Sequence, residues 1–104
     1  MKVIIEEQVR QSILEFYAIS MRLHPTLDEA TVMAKVERLF GAMSELNKLC
    51  FIYADARLKK CWKEAGYKEM IVEDFHIAFR IETDEDGEQY VAVYDAVHSL
   101  LYHD

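Results

Sequence analysis

Gly66-Tyr67-Lys68-Glu69-Met70-Ile71-Val72-Glu73-Asp74-Phe75-His76-Ile77-Ala78-Phe79-Arg80-Ile81-Glu82 is the stretch that decides the fold. After Gly66 the apolar residues fall into a period of two, the spacing of a strand with one buried face. Tyr67–Val72 reads as one strand and Glu73-Asp74 as a tight turn. From 75 to 82 the alternation is clean, with Phe75, Ile77, Phe79 and Ile81 on one side and His76 and Arg80 on the other. Asp84-Glu85-Asp86-Gly87 then reads as a hairpin turn in which Gly87 supplies positive φ, and Gln89–Val97 as the returning strand.

Upstream the period changes. Residues 2–6, Lys-Val-Ile-Ile-Glu, read as a short β-branched strand. Val9, Ile13, Phe16, Tyr17 and Ser20 recur at helical spacing over residues 7–23, and Pro25 ends that helix. Thr26-Leu27-Asp28-Glu29 has the form of a capping box. The helix after it presents Val32, Val36, Leu39, Phe40, Met43 and Leu46 on one face. Residues 48–66 have no clean period and read as a basic loop holding one short helical turn. The order β-α-α-β-β-β predicts an α+β fold, with a helical hairpin on one face of an antiparallel sheet.

With 104 residues, 52% apolar and 30% charged, the chain fits a single domain, residues 1–104, with a core of its own. Met1-Lys2-Val3-Ile4-Ile5 is followed by Glu6-Glu7, so no signal peptide is read there. No run is long enough to cross a bilayer. Cys50 and Cys61 match no zinc or redox spacing, and the four histidines match no metal motif, so neither metal nor cofactor is expected. A reduced, cytoplasmic protein is the expectation.

The net charge of −7 is unevenly spread. Residues 1–47 carry −2, residues 48–68 carry +4, and residues 69–104 carry −9. A field of that sign repels nucleic acid at long range, so only the central segment offers a footprint for phosphate.

Three stretches carry a family resemblance. They are Leu58-Lys59-Lys60-Cys61-Trp62-Lys63-Glu64-Ala65-Gly66-Tyr67-Lys68-Glu69, then Asp74-Phe75-His76-Ile77-Ala78-Phe79-Arg80-Ile81, then Tyr90-Val91-Ala92-Val93-Tyr94 after the acidic turn. Together with the opening strand and the element order, they resemble the RelE/ParE family of toxins from type II toxin–antitoxin (addiction, or plasmid stabilization) modules. The resemblance spans the chain and is most specific over residues 66–98. It implies a toxin neutralised by a cognate antitoxin, acting either as a ribosome-dependent mRNA endoribonuclease or as a gyrase inhibitor.

Carried over residue by residue, the resemblance gives Lys59, Lys60 and Lys63 the role of RNA-binding loop lysines. His76 stands where an arginine is common, and Arg80 matches a second basic position. His98, Tyr102 and His103 stand in the terminal segment that is catalytic in active members, and Leu100 and Leu101 replace arginines there. Cleavage by 2′-hydroxyl attack needs a base, a cation for the phosphorane and an acid for the leaving oxygen. His76, His98 and His103 fit the base and acid roles, Arg80 and Lys60 the cation, and Tyr102 a proton donor or stacking ring.

Two readings follow. In the first the chain is a nuclease that engages ribosome and mRNA. In the second it is a toxin-fold binding module that binds its antitoxin or a second copy of itself, or inhibits gyrase; the acidic tail and the missing arginines favour this one. In the plain alternative Lys59, Lys60 and Lys63 are a solvated face, Arg80 pairs with nearby acids, and Trp62 is a core anchor. Strand register is decisive. If Arg80 pairs with Tyr90, then His76, Tyr90, Tyr94 and His98 share a face; a shift by one residue breaks the set.

Overall fold

The structure, a computed structural model, describes residues 1–101. It is an α+β fold with strands β1 (Val3–Ile5), β2 (Lys68–Val72), β3 (Phe75–Thr83) and β4 (Gln89–His98) in the sheet order β1-β4-β3-β2. β2, β3 and β4 form an antiparallel meander, and β1 lies parallel to the first half of β4, pairing Val3–Ile5 with Val91–Val93. Between β1 and β2 run α1 (Glu7–Leu23), α2 (Glu29–Ser44), α3 (Leu46–Leu49), a 3-10 turn at Cys50–Ile52 and α4 (Lys60–Glu64).

α1 and α2 cover one sheet face, as the pattern predicts. Val9, Ile13 and Tyr17 from α1 and Val32, Leu39 and Met43 from α2 meet Met70, Phe75, Ile77, Phe79, Val91 and Val93 in one core. Each large aliphatic or aromatic side chain fully buried there contributes about 1.5–3 kcal/mol of transfer free energy.

The start of α2 differs from expectation. The cap is Asp28, whose carboxylate accepts from Ala30 N–H at 3.3 Å and from Thr31 Oγ1 at 3.1 Å, not Thr26. Residues 24–27 close a turn of their own, with Leu27 N–H donating to His24 O, so the helix begins two residues later than the Thr26–Glu29 spacing suggests.

The segment read as a loop is more ordered than its lack of period implies. α4 ends in a Schellman motif: Tyr67 N–H bonds to Trp62 O and Gly66 N–H to Lys63 O, with Gly66 at φ +75°. A helix of one turn has too few residues to display a period. α4 sits on the sheet face opposite α1 and α2. There Trp62, 2% exposed, packs with Ala56 and Ala78 and against Leu58, Tyr67 and Val97. The face carrying His76 and Arg80 is therefore partly roofed rather than open.

β3 and β4 adopt neither register weighed from sequence. Arg80 pairs with Ala92, and Glu82 with Tyr90. Between Phe79↔Val93 and Ala78↔Asp95 the ladder slips by one residue at Tyr94. This two-for-one bulge reverses the alternation of β4. Val91 and Val93 face the helices before it; Ala96 and His98 do so after it.

Candidate functional site

The bulge divides the expected site residues between the two faces of the sheet. His76 pairs in register with Val97 on the α4 side, whereas His98 turns inward. Its ring stacks on Phe16 at 4.0 Å between centroids and meets Phe75 edge-on at 5.0 Å. Only 8% of His98 is exposed, and its Nδ1 accepts from Leu100 N–H at 3.1 Å. Burial pushes its pKa below the ordinary 6.5, with Lys35 and His76 adding to the depression and Asp74 opposing it. His98 is thus held neutral, with the proton on Nε2. It floors a groove of about 680 Å³ walled by Phe16, Ile19, Phe75, Lys59 and Leu101.

On the other face His76 is the middle of a relay. Its Nδ1 lies 2.8 Å from Glu69 Oε2 and its Nε2 lies 3.1 Å from Ser99 Oγ. Glu69 and His76 meet because they are diagonal neighbours on β2 and β3: Glu69 pairs with Ala78 and Ile71 with His76. The other Glu69 oxygen accepts the N–H groups of Arg57 at 3.0 Å and Leu58 at 3.1 Å. Burial raises the Glu69 pKa, but the bonds from His76, Arg57 and Leu58 outweigh it, and the carboxyl falls below its ordinary 4.5. Ser99 is exposed, and its hydroxyl also reaches Asp74 O at 2.9 Å.

Three of the expected cations are engaged by acids. Arg80 Nε lies 2.8 Å from Glu82 Oε1, at an angle that leaves that oxygen without a hydrogen-bond donor, and Arg80 Nη1 donates to Ala65 O at 3.3 Å. Lys59 Nζ lies 3.5 Å from Asp95 Oδ2 and 5.4 Å above the Trp62 ring, and Trp62 Nε1 donates to the same carboxylate at 3.0 Å. Lys60 pairs loosely with Glu64 at 3.9 Å along α4. Lys63 is exposed on the same helix. Tyr102 and His103 lie outside the described residues.

Among the described residues the expected catalytic set is divided between the two sheet faces. His76 and Arg80 share the α4 side, His98 belongs to the helix side, and Lys60 and Lys63 project from α4. Sequence reasoning missed Glu69 and Ser99. Glu69 carried a usable signal, since strand alternation puts it on the same face as His76 across a tight hairpin. Ser99 carried none, because it lies beyond the bulge that reverses β4.

Among the described residues no group of three or more His, Cys, Asp or Glu is arranged to hold a metal ion, and no helix is long and apolar enough to cross a membrane. Cys50 is buried and Cys61 exposed, and neither is in a disulfide. Comparison with family models, curated proteins and solved structures gives no match.

Proposed function

We propose that this chain is a RelE/ParE-like toxin-fold protein that acts in the cytoplasm by binding a partner chain of the antitoxin kind, without cleaving RNA. The observation that carries this reading is the separation of the groups phosphoryl transfer would need. His76 and His98 face opposite sides of the sheet, and Arg80 and Lys59 are turned onto Glu82 and Asp95. Two histidines on opposite faces cannot serve as base and acid on one phosphate. The net charge of −7 adds a long-range repulsion that a nucleic-acid enzyme has to overcome. The test is co-purification with the product of a neighbouring short reading frame. A stable complex in which the partner protects the α1–β4 groove from hydrogen exchange supports the proposal, and absence of any complex contradicts it.

A nuclease is the second reading, favoured by Lys60 and Lys63 standing exposed on α4. It requires that Lys60→Ala and His98→Ala each abolish growth arrest in cells expressing the chain. Arrest that survives both changes contradicts it.

A further inference from the structure

The partner-binding reading makes no use of the Ser99–His76–Glu69 relay, and the geometry of this relay is that of an activated nucleophile. A hydroxyl, an imidazole and a carboxylate are linked in series at 3.1 and 2.8 Å. Nδ1–H donates to the carboxylate, which leaves the Nε2 lone pair facing the hydroxyl. The Ser99 proton has two acceptors within reach, His76 Nε2 and Asp74 O at 2.9 Å, and the serine itself is exposed to an incoming reagent.

A second observation lies next to it. Glu73 and Asp74, the two residues of the β2–β3 turn, both have positive φ, 50° and 63°, without being glycine. Each such residue costs about 1–2 kcal/mol, and strain of this kind persists only where surrounding contacts enforce it. Here Arg38 holds Glu73 at 2.7 Å, while Asp74 O accepts both the Ser99 N–H and the Ser99 hydroxyl at 2.9 Å. The strained turn thereby fixes the serine beside the imidazole.

We propose that Ser99 is a nucleophilic serine that accepts acyl or phosphonyl groups from activated donors, with His76 as its general base and Glu69 as the positioning carboxylate. Ser99 Oγ forms a bond to the acyl carbon as its proton passes to His76 Nε2. The carbon–oxygen bond to the leaving group then breaks, and that group departs with its electron pair and receives the proton; with a fluorophosphonate the new bond is Oγ–P, the bond broken is P–F, and fluoride leaves with its electron pair. Water, deprotonated by the same imidazole, later releases the acid and restores the hydroxyl.

The substrate class follows from what is missing around the serine. The N–H groups of Ser99, Leu100 and Leu101 are already bonded to Asp74 O, His98 Nδ1 and His98 O. Among the described residues no backbone donor adjacent to the serine is left for an oxyanion, and losing one such donor costs about 10²–10³ in rate. Good leaving groups compensate for that, so aryl esters and fluorophosphonates are the matching donors.

The test is labelling of the intact chain with a fluorophosphonate probe, read by intact mass and peptide mapping, with release of nitrophenol from p-nitrophenyl acetate as a second readout. One label at Ser99 is expected, with none in Ser99→Ala and an unchanged rate in Ser44→Ala. His76→Gln, which keeps a polar side chain of similar reach, is expected to slow labelling at least tenfold. Glu69→Gln is expected to alter the pH profile of the labelling rate as well as its size. Thermal melts of each variant establish that it is folded, and Ser99→Ala, at an exposed site, keeps the test valid if His76→Gln does not fold. Labelling elsewhere, or labelling no faster than in urea-unfolded chain, overturns the proposal. So does an unchanged rate in folded His76→Gln.

Discussion

His98 sets the chemical character of the groove at the level of a single side chain. Its ring lies between Phe16 and Phe75, and its Nδ1 is committed to Leu100 N–H. A histidine whose folded pKa is depressed contributes stability in full above the ordinary value of 6.5. That contribution is lost as pH falls through the folded value. The melting temperature is therefore expected to drop from about pH 7 downwards, and His98→Phe to remove most of that slope; parallel melting curves across pH 5–7.5 check this. Glu69 acts lower on the scale. Its carboxyl is depressed below 4.5, so its contribution is present above that value and disappears as pH falls below it. Glu69→Gln should accordingly flatten the acid limb below pH 4.5 and leave the range near pH 6 unchanged. Trp62, 2% exposed, carries a large expected cost on truncation. Trp62→Ala removes the anchor of α4 and the bond to Asp95, and should destabilise by about 3–5 kcal/mol in urea denaturation.

At the scale of elements, turns and the bulge decide more than strand propensity does. The β2–β3 turn is built of Glu73 and Asp74 in a conformation that favours Asn-Gly. Asp74→Gly relieves the strain and keeps the carbonyl that holds Ser99, so a gain of roughly 0.5–1 kcal/mol is expected from chemical denaturation. Gly66→Ala is expected to act in the opposite sense. Gly66 closes the Schellman motif of α4 at φ +75°, and a Cβ there should cost about 1–2 kcal/mol and loosen Trp62, seen as a shift in its fluorescence. The two long helices and the meander were legible because each is long enough to display a period, and β1, only three residues long, because its residues are β-branched or aliphatic. One short helical turn was expected between residues 48 and 66, but its position at Lys60–Glu64 was not legible, because one turn cannot display a period. The bulge was not legible because an Asp-Gly hairpin fixes where β4 begins but not where it slips; the slip falls at Tyr94, whose ring stacks on Tyr67 at 5.0 Å, a contact between residues far apart in sequence. That single extra residue moved His98 from the His76 face to the core.

For the whole molecule, charge and topology point the same way. The +4 segment of residues 48–68 is divided between the two sheet faces: Lys59 lies on the outer face beside Asp95, and Lys68, paired with Phe79, lies on the helix side with Tyr53 O as its acceptor, both partly buried. Two of the six cations of that segment are thereby turned inward, and Lys48, Arg57, Lys60 and Lys63 remain exposed. With Lys48 and Lys60 beside Glu45 and Glu64 and a net charge of −7, these outward charges give weak, shallowly salt-dependent attraction to RNA. The groove between α1 and β4, with its apolar walls and neutral His98, suits a protein segment better than a phosphate backbone.

The most direct measurement is mapping of new RNA 5′ ends in cells that express the chain alone. The account predicts that messages remain intact, with the same ends in wild type and in Lys60→Ala and His98→Ala variants. Discrete new ends that appear with the wild-type chain and vanish in those variants would contradict it.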